Sequence, residues 1–373
     1  MNYLSINKVV ERIKNSNGKI VIYGAGMIGQ IVVPWIVEEY DLLNHILFYV
    51  DNDIHKQGLD ITILNKSVSI KTAESLKYLP ENTIIFLTNS NYTSIISYFC
   101  SIRELDDVDL FIVPVWLAER AKNNNVDIRL SMHEKSVKEM IPRKIHYCWF
   151  SGKEMPSYLV KCMDSWKRFC PDYEIVRWDE NNYDIEKYAY MKEAYAMKKW
   201  GFVPDIARLD ILYNHGGIYI DTDVELIRNL DSLLSLEAFA GVEKWGSVNM
   251  GGCSGAVPKH HMIKRMLDFR KDERFIREDG SMNLTTCGYY ETTPLMHMGF
   301  KPNNTVQNIG GMTIFSSDFF HPYDYMSGET YVTENTYSIH HFNGGWLDEK
   351  NREEREKTRK EYQDMIKRVT FEL

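Results

Sequence analysis

Several features that would restrict the function are missing from this sequence of 373 residues. No apolar run approaches the roughly 18 residues that a transmembrane helix needs, and the first residues lack the basic-then-apolar order of a signal peptide. The six cysteines form no CxxC pair, which argues against a zinc or disulfide framework. Acidic residues outnumber basic ones by 52 to 44, whereas a nucleic-acid-binding domain has a basic surface. These absences predict a cytoplasmic protein with reduced thiols and no nucleic-acid partner.

The first third of the sequence has the pattern of a small α/β domain. Apolar segments separated by helical stretches predict parallel strands at 19–23, 46–50, 83–88 and 110–113. The chain length suits two domains, and this pattern predicts a Rossmann-like N-terminal domain over residues 1–122.

A glycine-rich loop follows the first of these strands. It reads Gly24-x-Gly26-x-x-Gly29, and Asp51 ends the next strand. This is the context of a dinucleotide-binding fingerprint, in which the acid binds ribose hydroxyls. The domain is short and lacks obvious catalytic partners, so we favour a structural or docking use over hydride transfer.

A second α/β pattern begins near Pro142 and predicts a larger domain over residues 140–346. Its most informative stretch is Gly216-Gly217-Ile218-Tyr219-Ile220-Asp221-Thr222-Asp223. Side chains alternate along an extended segment, so Asp221 and Asp223 point the same way and can share a divalent cation. A cation bound by few protein oxygens keeps positions open for the phosphates of a nucleotide.

Asp205 and Arg208 lie on the helix that precedes this stretch, three residues apart on one face. One interpretation is an intrahelical ion pair worth a few tenths of a kcal/mol. The other is a carboxylate for sugar hydroxyls beside a guanidinium for hydroxyl or phosphate oxygens.

Four ordered motifs together resemble a known family. They are Ile145-His146-Tyr147-Cys148-Trp149, Arg177-Trp178-Asp179, Phe202 to Arg208, and Gly216 to Asp223. The combination resembles the sugar-binding Asp-x-Asp glycosyltransferases, which include bacterial capsular polysaccharide, outer-chain mannosyl, α1,4-galactosyl and α1,4-N-acetylglucosaminyl transferases. The resemblance implies an α/β fold of the GT-A type, a nucleotide-sugar donor, a Mn²⁺ or Mg²⁺ cofactor and retention of anomeric configuration.

The resemblance also implies roles for individual residues. Trp149 would stack on the donor base, with uracil favoured, and the backbone near Cys148 would read its edge. Asp205 and Arg208 would hold the donor sugar and ribose. Asp221 and Asp223 would bind the metal and ribose, with Asp223 the firmer metal ligand.

The C-terminal motif of the family is a His-rich strand followed by a Ser-Trp pair near the donor phosphates. This chain has glycine in place of that serine, immediately before Trp346. We expect Trp346 and one histidine to lie near the phosphates, and we select His341 as the third metal ligand.

These observations predict a metal-dependent retaining glycosyltransferase. It would move a hexose or N-acetylhexosamine from a UDP-sugar to a glycan, polysaccharide (such as a capsule) or glycoprotein. No carboxylate has the sequence context of a nucleophile, so we favour front-face attack over double displacement. The alternatives are an NAD-dependent sugar-nucleotide oxidoreductase using the N-terminal loop, and a non-catalytic sugar-nucleotide-binding subunit.

Residues 347–373 predict a charged C-terminal helix of mixed sign. Such a helix suits solvent or contact between copies in a homo-oligomer. Contact with anionic lipid, at the inner face of a membrane, is the less favoured alternative.

Overall fold

The protein is described by a computed structural model covering residues 1–123, 138–324, 326–343 and 349–368. The chain forms two compact units. The first comprises residues 1–123, 325–328 and 349–373, and the second comprises residues 124–324 and 329–348. The C-terminal helix therefore belongs to the first unit. From the sequence, residues 347–373 were predicted to be a separate segment.

The first unit is built on a seven-stranded sheet in the order β1-β7-β6-β2-β3-β5-β4. Its strands are β1 (Asn2–Tyr3), β2 (Lys19–Tyr23), β3 (Ile46–Val50), β4 (Asp60–Ile63), β5 (Lys66–Lys71), β6 (Thr83–Leu87) and β7 (Asp109–Ile112). All neighbours pair in parallel except β4 and β5, which form an antiparallel hairpin. β6 is buried along its whole length, as expected for a parallel strand covered on both faces.

The helices of this unit are α1 (Ile6–Ser16), α2 (Val33–Glu39), α3 (Tyr92–Phe99) and α4 (Val113–Asn123). A π-helical segment, Ile28–Val32, lies between the glycine-rich loop and α2. The prediction of a doubly wound α/β domain is confirmed here, whereas the β4–β5 hairpin was not predicted.

The second unit contains a mixed eight-stranded sheet. Its strand order is β15-β16-β12-β14-β10-β8-β9, with β13 paired to β12. These strands are β8 (Lys144–Cys148), β9 (Glu174–Trp178), β10 (Gly217–Tyr219), β12 (Ala238–Val242), β13 (Val248–Asn249), β14 (Ser254–Ala256), β15 (Gln307–Ile309) and β16 (Met312–Phe315), with β11 (Val224–Leu226) outside the sheet. β8, β9 and β10 are parallel, and β14 runs antiparallel to β10 and β12.

Smaller elements complete this unit. The short strands β17 (Tyr323–Asp324) and β18 (Glu329–Thr330) pair with each other, and β11 pairs with β19 (Ser338–His340). The helices are α5 (Ser157–Phe169), α6 (Ala189–Ala196), α7 (Pro204–His215), α8 (His261–Arg270), α9 (Cys287–Met296) and α10 (Ser317–Phe320). One hydrophobic cluster includes α7, α8 and α9, and another includes the fully buried Trp166 of α5.

The junction between α7 and β10 is fixed by tight packing. Gly216 ends α7 with φ of +63°, and a Cβ there would lie 2.6 Å from the Pro258 ring. The Nε2 atom of His146 lies 3.0 Å from the Gly216 carbonyl, and Trp178 donates its indole N–H to Nδ1 at 3.1 Å. Nε2 therefore carries the proton of a neutral ring. Burial lowers the pKa of His146 to about 4, consistent with this state.

The C-terminal helix, α11 (Glu349–Arg368), packs on the first unit. The Tyr362 hydroxyl donates to a Glu119 carboxylate oxygen at 2.6 Å. No helix among the residues covered by the structure is both long and apolar enough to cross a membrane.

Candidate active site

The two predicted carboxylates follow the carboxyl-terminal end of β10. They lie in a turn in which the Val224 amide donates to the Asp221 carbonyl at 3.1 Å, and not on an extended segment as predicted. The Asp221 side chain is 25% exposed and that of Asp223 is 19% exposed, so a ligand can reach both. The Tyr219 hydroxyl donates to Oδ1 of Asp221 at 3.0 Å. The Asp221 amide donates to the Gly251 carbonyl at 2.8 Å, which fixes its backbone.

Asp223 is held by the end of β19. Nε2 of His340 lies 3.3 Å from Oδ1 of Asp223, and the Asn343 amide donates to Oδ2 at 3.0 Å. Burial alone would raise the pKa of Asp223, but the charge and hydrogen bond of His340 outweigh it and lower this pKa to about 2. Conversely, burial would lower the pKa of His340, and the Asp223 charge raises it overall. Asp223 is therefore ionised and fixed in position.

His341 does not contact Asp223 through its side chain, contrary to its selection as a metal ligand. Neighbouring side chains on an extended segment point in opposite directions. His340 therefore faces Asp223, while the His341 ring lies 3.2 Å from Glu225. Across the described ranges, no three His, Cys, Asp or Glu side chains converge to hold a metal ion.

Asp205 and Arg208 form the intrahelical ion pair that was one of the two interpretations of their spacing, and this pair is buried. Arg208 Nη2 donates to Oδ1 of Asp205, and Arg270 donates to Oδ2 at 3.1 Å. Only 7% of the Asp205 side chain and 4% of the Arg208 side chain are exposed. Nη1 of Arg208 lies 3.7 Å from Oδ2 of Asp221, so the ion pair lies directly beneath the exposed Asp221 carboxylate.

The loop after β13 passes directly over this ion pair and Asp221. A Cβ on Gly251 would lie 2.0 Å from Oδ2 of Asp221 and 2.6 Å from Nη1 of Arg208. Only glycine fits at this position. Asn249 accepts hydrogen bonds from the Gly251 and Gly252 amides, at 2.8 and 3.2 Å, and so holds the loop in place.

Cys148 and Trp149 lie at the end of β8. Cys148 is buried, and burial raises its thiol pKa to about 12. Trp149 is partly exposed, and its indole N–H donates to the Lys153 carbonyl at 2.8 Å. The Trp149 ring is accessible to a ligand, and its stacking on the donor base stays a prediction. Trp346 lies outside the described residues.

The region around the carboxylates matches a known family. Residues 156–240, which include Asp221 and Asp223, match the model described as a glycosyltransferase sugar-binding region containing the DXD motif. These residues of the second unit therefore form a sugar-binding region of the DXD-containing glycosyltransferase type. The second unit has a mixed α/β fold, which is consistent with the GT-A type that the sequence resemblance implied.

Individual proteins are similar to parts of this chain. An uncharacterized glycosyltransferase of Acanthamoeba polyphaga mimivirus is 26% identical over 219 residues, which are 53% of this chain and 83% of that protein. Inositol phosphoceramide mannosyltransferase 3 of Schizosaccharomyces pombe is 34% identical over 105 residues, 26% of this chain and 29% of its own. Mannosyl phosphorylinositol ceramide synthase of Saccharomyces cerevisiae is 30% identical over 138 residues, 35% of this chain and 34% of its own. The chain thus spans about a third of the length of these two yeast relatives.

The glycine-rich loop of the first unit packs against its own backbone. Gly24 has φ of +111°, and a Cβ on Gly29 would lie 2.1 Å from the Gly24 carbonyl oxygen, whereas Gly26 has open space around it. Oδ2 of Asp51 accepts from the Ala25 amide at 2.7 Å, and Oδ1 accepts from the Asp53 amide at 2.8 Å. Both Asp51 oxygens therefore hold loops, which gives no support to the ribose contact of the oxidoreductase alternative.

Two residues beside the candidate site were not identified from the sequence. His340 is one, since only the pairing of β11 with β19 decides which histidine faces Asp223. Glu291 is the other. It lies in α9 (Cys287–Met296) and is fully buried. The Gly288 and Pro294 residues that indicated a turn are accommodated within the helix.

Proposed function

We propose that this glycosyltransferase is metal-dependent and retaining, and that it transfers a hexose or N-acetylhexosamine from a nucleotide-sugar. The acceptor would be a glycan, polysaccharide or glycoprotein. The observation that supports this most is the pair Asp221 and Asp223, which present partly exposed, fixed carboxylates within the matched sugar-binding region.

The carboxylate pair suits a hard divalent cation such as Mn²⁺ or Mg²⁺. Such ions bind carboxylate oxygens and leave coordination positions for phosphate and water. Asp221 and Asp223 would be the ligands from this chain. A bound cation would offset the negative charge that develops on the leaving nucleoside diphosphate.

The surrounding side chains orient this pair. The Tyr219 hydroxyl holds Asp221, and His340 with the Asn343 amide holds Asp223. Arg208 places a buried positive charge beneath Asp221, near where donor oxygens would lie. Trp149 offers a ring for the donor base, and UDP-sugars are the favoured donors.

Front-face attack is consistent with the state of the nearby carboxylates. Double displacement requires a carboxylate oxygen that can reach the anomeric carbon. Both Asp205 oxygens are bound to guanidinium groups, and Glu291 is fully buried. We therefore propose that the acceptor hydroxyl attacks on the side from which the nucleoside diphosphate departs and transfers its proton to that phosphate.

A donor panel tests this function. The protein is incubated with UDP- and GDP-linked hexoses and N-acetylhexosamines plus Mn²⁺, and release of nucleoside diphosphate is measured. We expect release with one donor class, its loss on adding EDTA, and its loss in Asp223→Asn. Asp268→Asn, an exposed acid of the same unit that pairs with Lys264, is the matched control.

Three outcomes would contradict the proposal. Release that is insensitive to EDTA excludes the metal dependence, and no release or transfer with any donor excludes the activity. Inversion at the anomeric carbon of the first product, detected by NMR of its anomeric proton, excludes the retaining mechanism.

A further inference from the structure

Four charged side chains are buried together behind the exposed carboxylates. The side chains of Asp205, Arg208, Arg270 and Glu291 are each at most 7% exposed. The Asp205 carboxylate pairs with both guanidiniums, whereas Glu291 pairs with Arg208 alone. A buried carboxylate costs stability that an apolar side chain would not. The contacts of Glu291 with Arg208 and with the Met250 amide offset this cost.

Arg208 lies between two carboxylates without bonding fully to either. Nη1 of Arg208 is 3.7 Å from Oε1 of Glu291 and 3.7 Å from Oδ2 of Asp221. Both distances exceed a hydrogen bond. Among the described residues, Nη1 and Oε1 have no hydrogen-bond partner. Buried polar atoms are almost always paired, so this unmade bond is unusual.

The other oxygen of Glu291 is bonded to the loop over the site. Oε2 accepts from the Met250 amide at 2.8 Å, and the next residue, Gly251, accepts from the Asp221 amide at 2.8 Å. Glu291 thus contacts both the guanidinium beneath Asp221 and the backbone above it. Because Glu291 is fully buried, it cannot touch a ligand itself.

We propose that Glu291 is a positioning residue that competes with Asp221 for Arg208 and so keeps Asp221 available for the divalent cation. Burial raises the pKa of Glu291 to about 7, so above that pH its negative charge balances Arg208 from behind and prevents a complete ion pair between Arg208 and Asp221. The inference rests on the proposed function in one respect, namely that Asp221 is a ligand of the cation.

Glu291→Gln tests this role because it removes the charge and keeps the shape. In crystals of the metal-free variant, we expect Nη1 of Arg208 to move to within hydrogen-bond distance of Oδ2 of Asp221. We also expect the affinity for Mn²⁺, measured with UDP present from the EPR signal of free Mn²⁺, to fall about 10-fold. The rate at saturating Mn²⁺ should change much less than this affinity.

Thr292→Val is the matched control. The Thr292 hydroxyl accepts from the Val248 amide at 2.9 Å, so this variant disturbs the same turn of α9 while leaving Glu291 in place. It should lower thermal stability and leave both the Arg208 position and the Mn²⁺ affinity unchanged. Glu291→Met, apolar and of similar length, is the second variant should Glu291→Gln not fold, with the same expected changes.

The outcomes separate this inference from the proposed function. If the wild type binds no Mn²⁺, the metal-dependent function fails, and the metal-free crystal structures still decide the Arg208 position. An unmoved Arg208 in Glu291→Gln overturns the inference, and so does an unchanged Mn²⁺ affinity in a protein that binds Mn²⁺.

Discussion

Asp51 and Asp221 have similar positions in the sequence and different surroundings in the structure. Each acid comes shortly after an apolar parallel strand and near a glycine-containing loop. Asp51 accepts two backbone N–H groups of its own loops, whereas Asp221 accepts one tyrosine hydroxyl and remains 25% exposed. An acid at a strand end thus acts as a loop cap or as a candidate ligand, depending on how many backbone donors face it.

Removing the charge of each acid should separate these roles most clearly. Asp221→Asn should lower nucleotide-sugar turnover by on the order of 1,000-fold, because the cation loses a charged ligand beside the donor phosphates. Asp51→Asn should leave turnover unchanged and destabilise the first unit by about 1–3 kcal/mol, since an amide cannot replace both accepted bonds. Turnover assays and urea unfolding measure the two effects. Loss of turnover in Asp51→Asn would contradict the comparison.

Added methyl groups on the loop glycines should give the next largest effects. Gly251→Ala places a Cβ 2.0 Å from Asp221 and 2.6 Å from Arg208, so we expect turnover to fall about 100-fold through displacement of these groups. Gly29→Ala meets the Gly24 carbonyl oxygen at 2.1 Å and should destabilise the first unit by about 1–3 kcal/mol without affecting turnover.

Gly26→Ala is the control for this pair, because a Cβ there meets no atom within 4 Å. Turnover and thermal unfolding of the three variants are the measurements. Gly251→Ala with wild-type turnover would show that the loop does not position Asp221.

The limits of the sequence prediction follow from the same comparison. The strand Ile46–Val50 was predicted with its observed bounds, because its local pattern is strong. Asp223 was identified as a candidate ligand from its spacing to Asp221. Its partner His340 depends on strand pairing across more than 100 residues, and the role of Glu291 depends on a helix whose Gly288 and Pro294 indicate a turn. Neither a long-range strand pairing nor a helix that contains residues typical of turns can be recognised from a local sequence pattern.

The two regions should also differ in their response to acid. The junction between α7 and β10 depends on His146. Burial lowers the pKa of His146 to about 4, below the value of about 6.5 for an unfolded histidine. The unfolded state therefore binds more protons between these values, and stability falls as pH decreases from 6.5 toward 4. Between pH 7 and pH 5 this group should cost the second unit about 2 kcal/mol.

Hydrogen exchange of the β8 and β10 amides at the two pH values measures this loss. His146→Gln keeps a donor for Gly216 and an acceptor for Trp178, and it does not titrate. Its opening free energy should therefore depend on pH less than that of the wild type, by about 2 kcal/mol. An equal pH dependence in both proteins would show that His146 is not the responsible group.

The smallest expected effect concerns what holds Asp51. Lys56 lies 3.4 Å from Oδ2 of Asp51, but its side chain is 33% exposed, and partly exposed ion pairs contribute less than about 1 kcal/mol. Lys56→Met should therefore change the stability of the first unit by less than Asp51→Asn does, because both backbone donors remain. Urea unfolding of the single and double variants tests this, with the double variant expected to match Asp51→Asn closely. A loss in Lys56→Met as large as that in Asp51→Asn would mean that charge pairing, and not the backbone, makes Asp51 a loop cap.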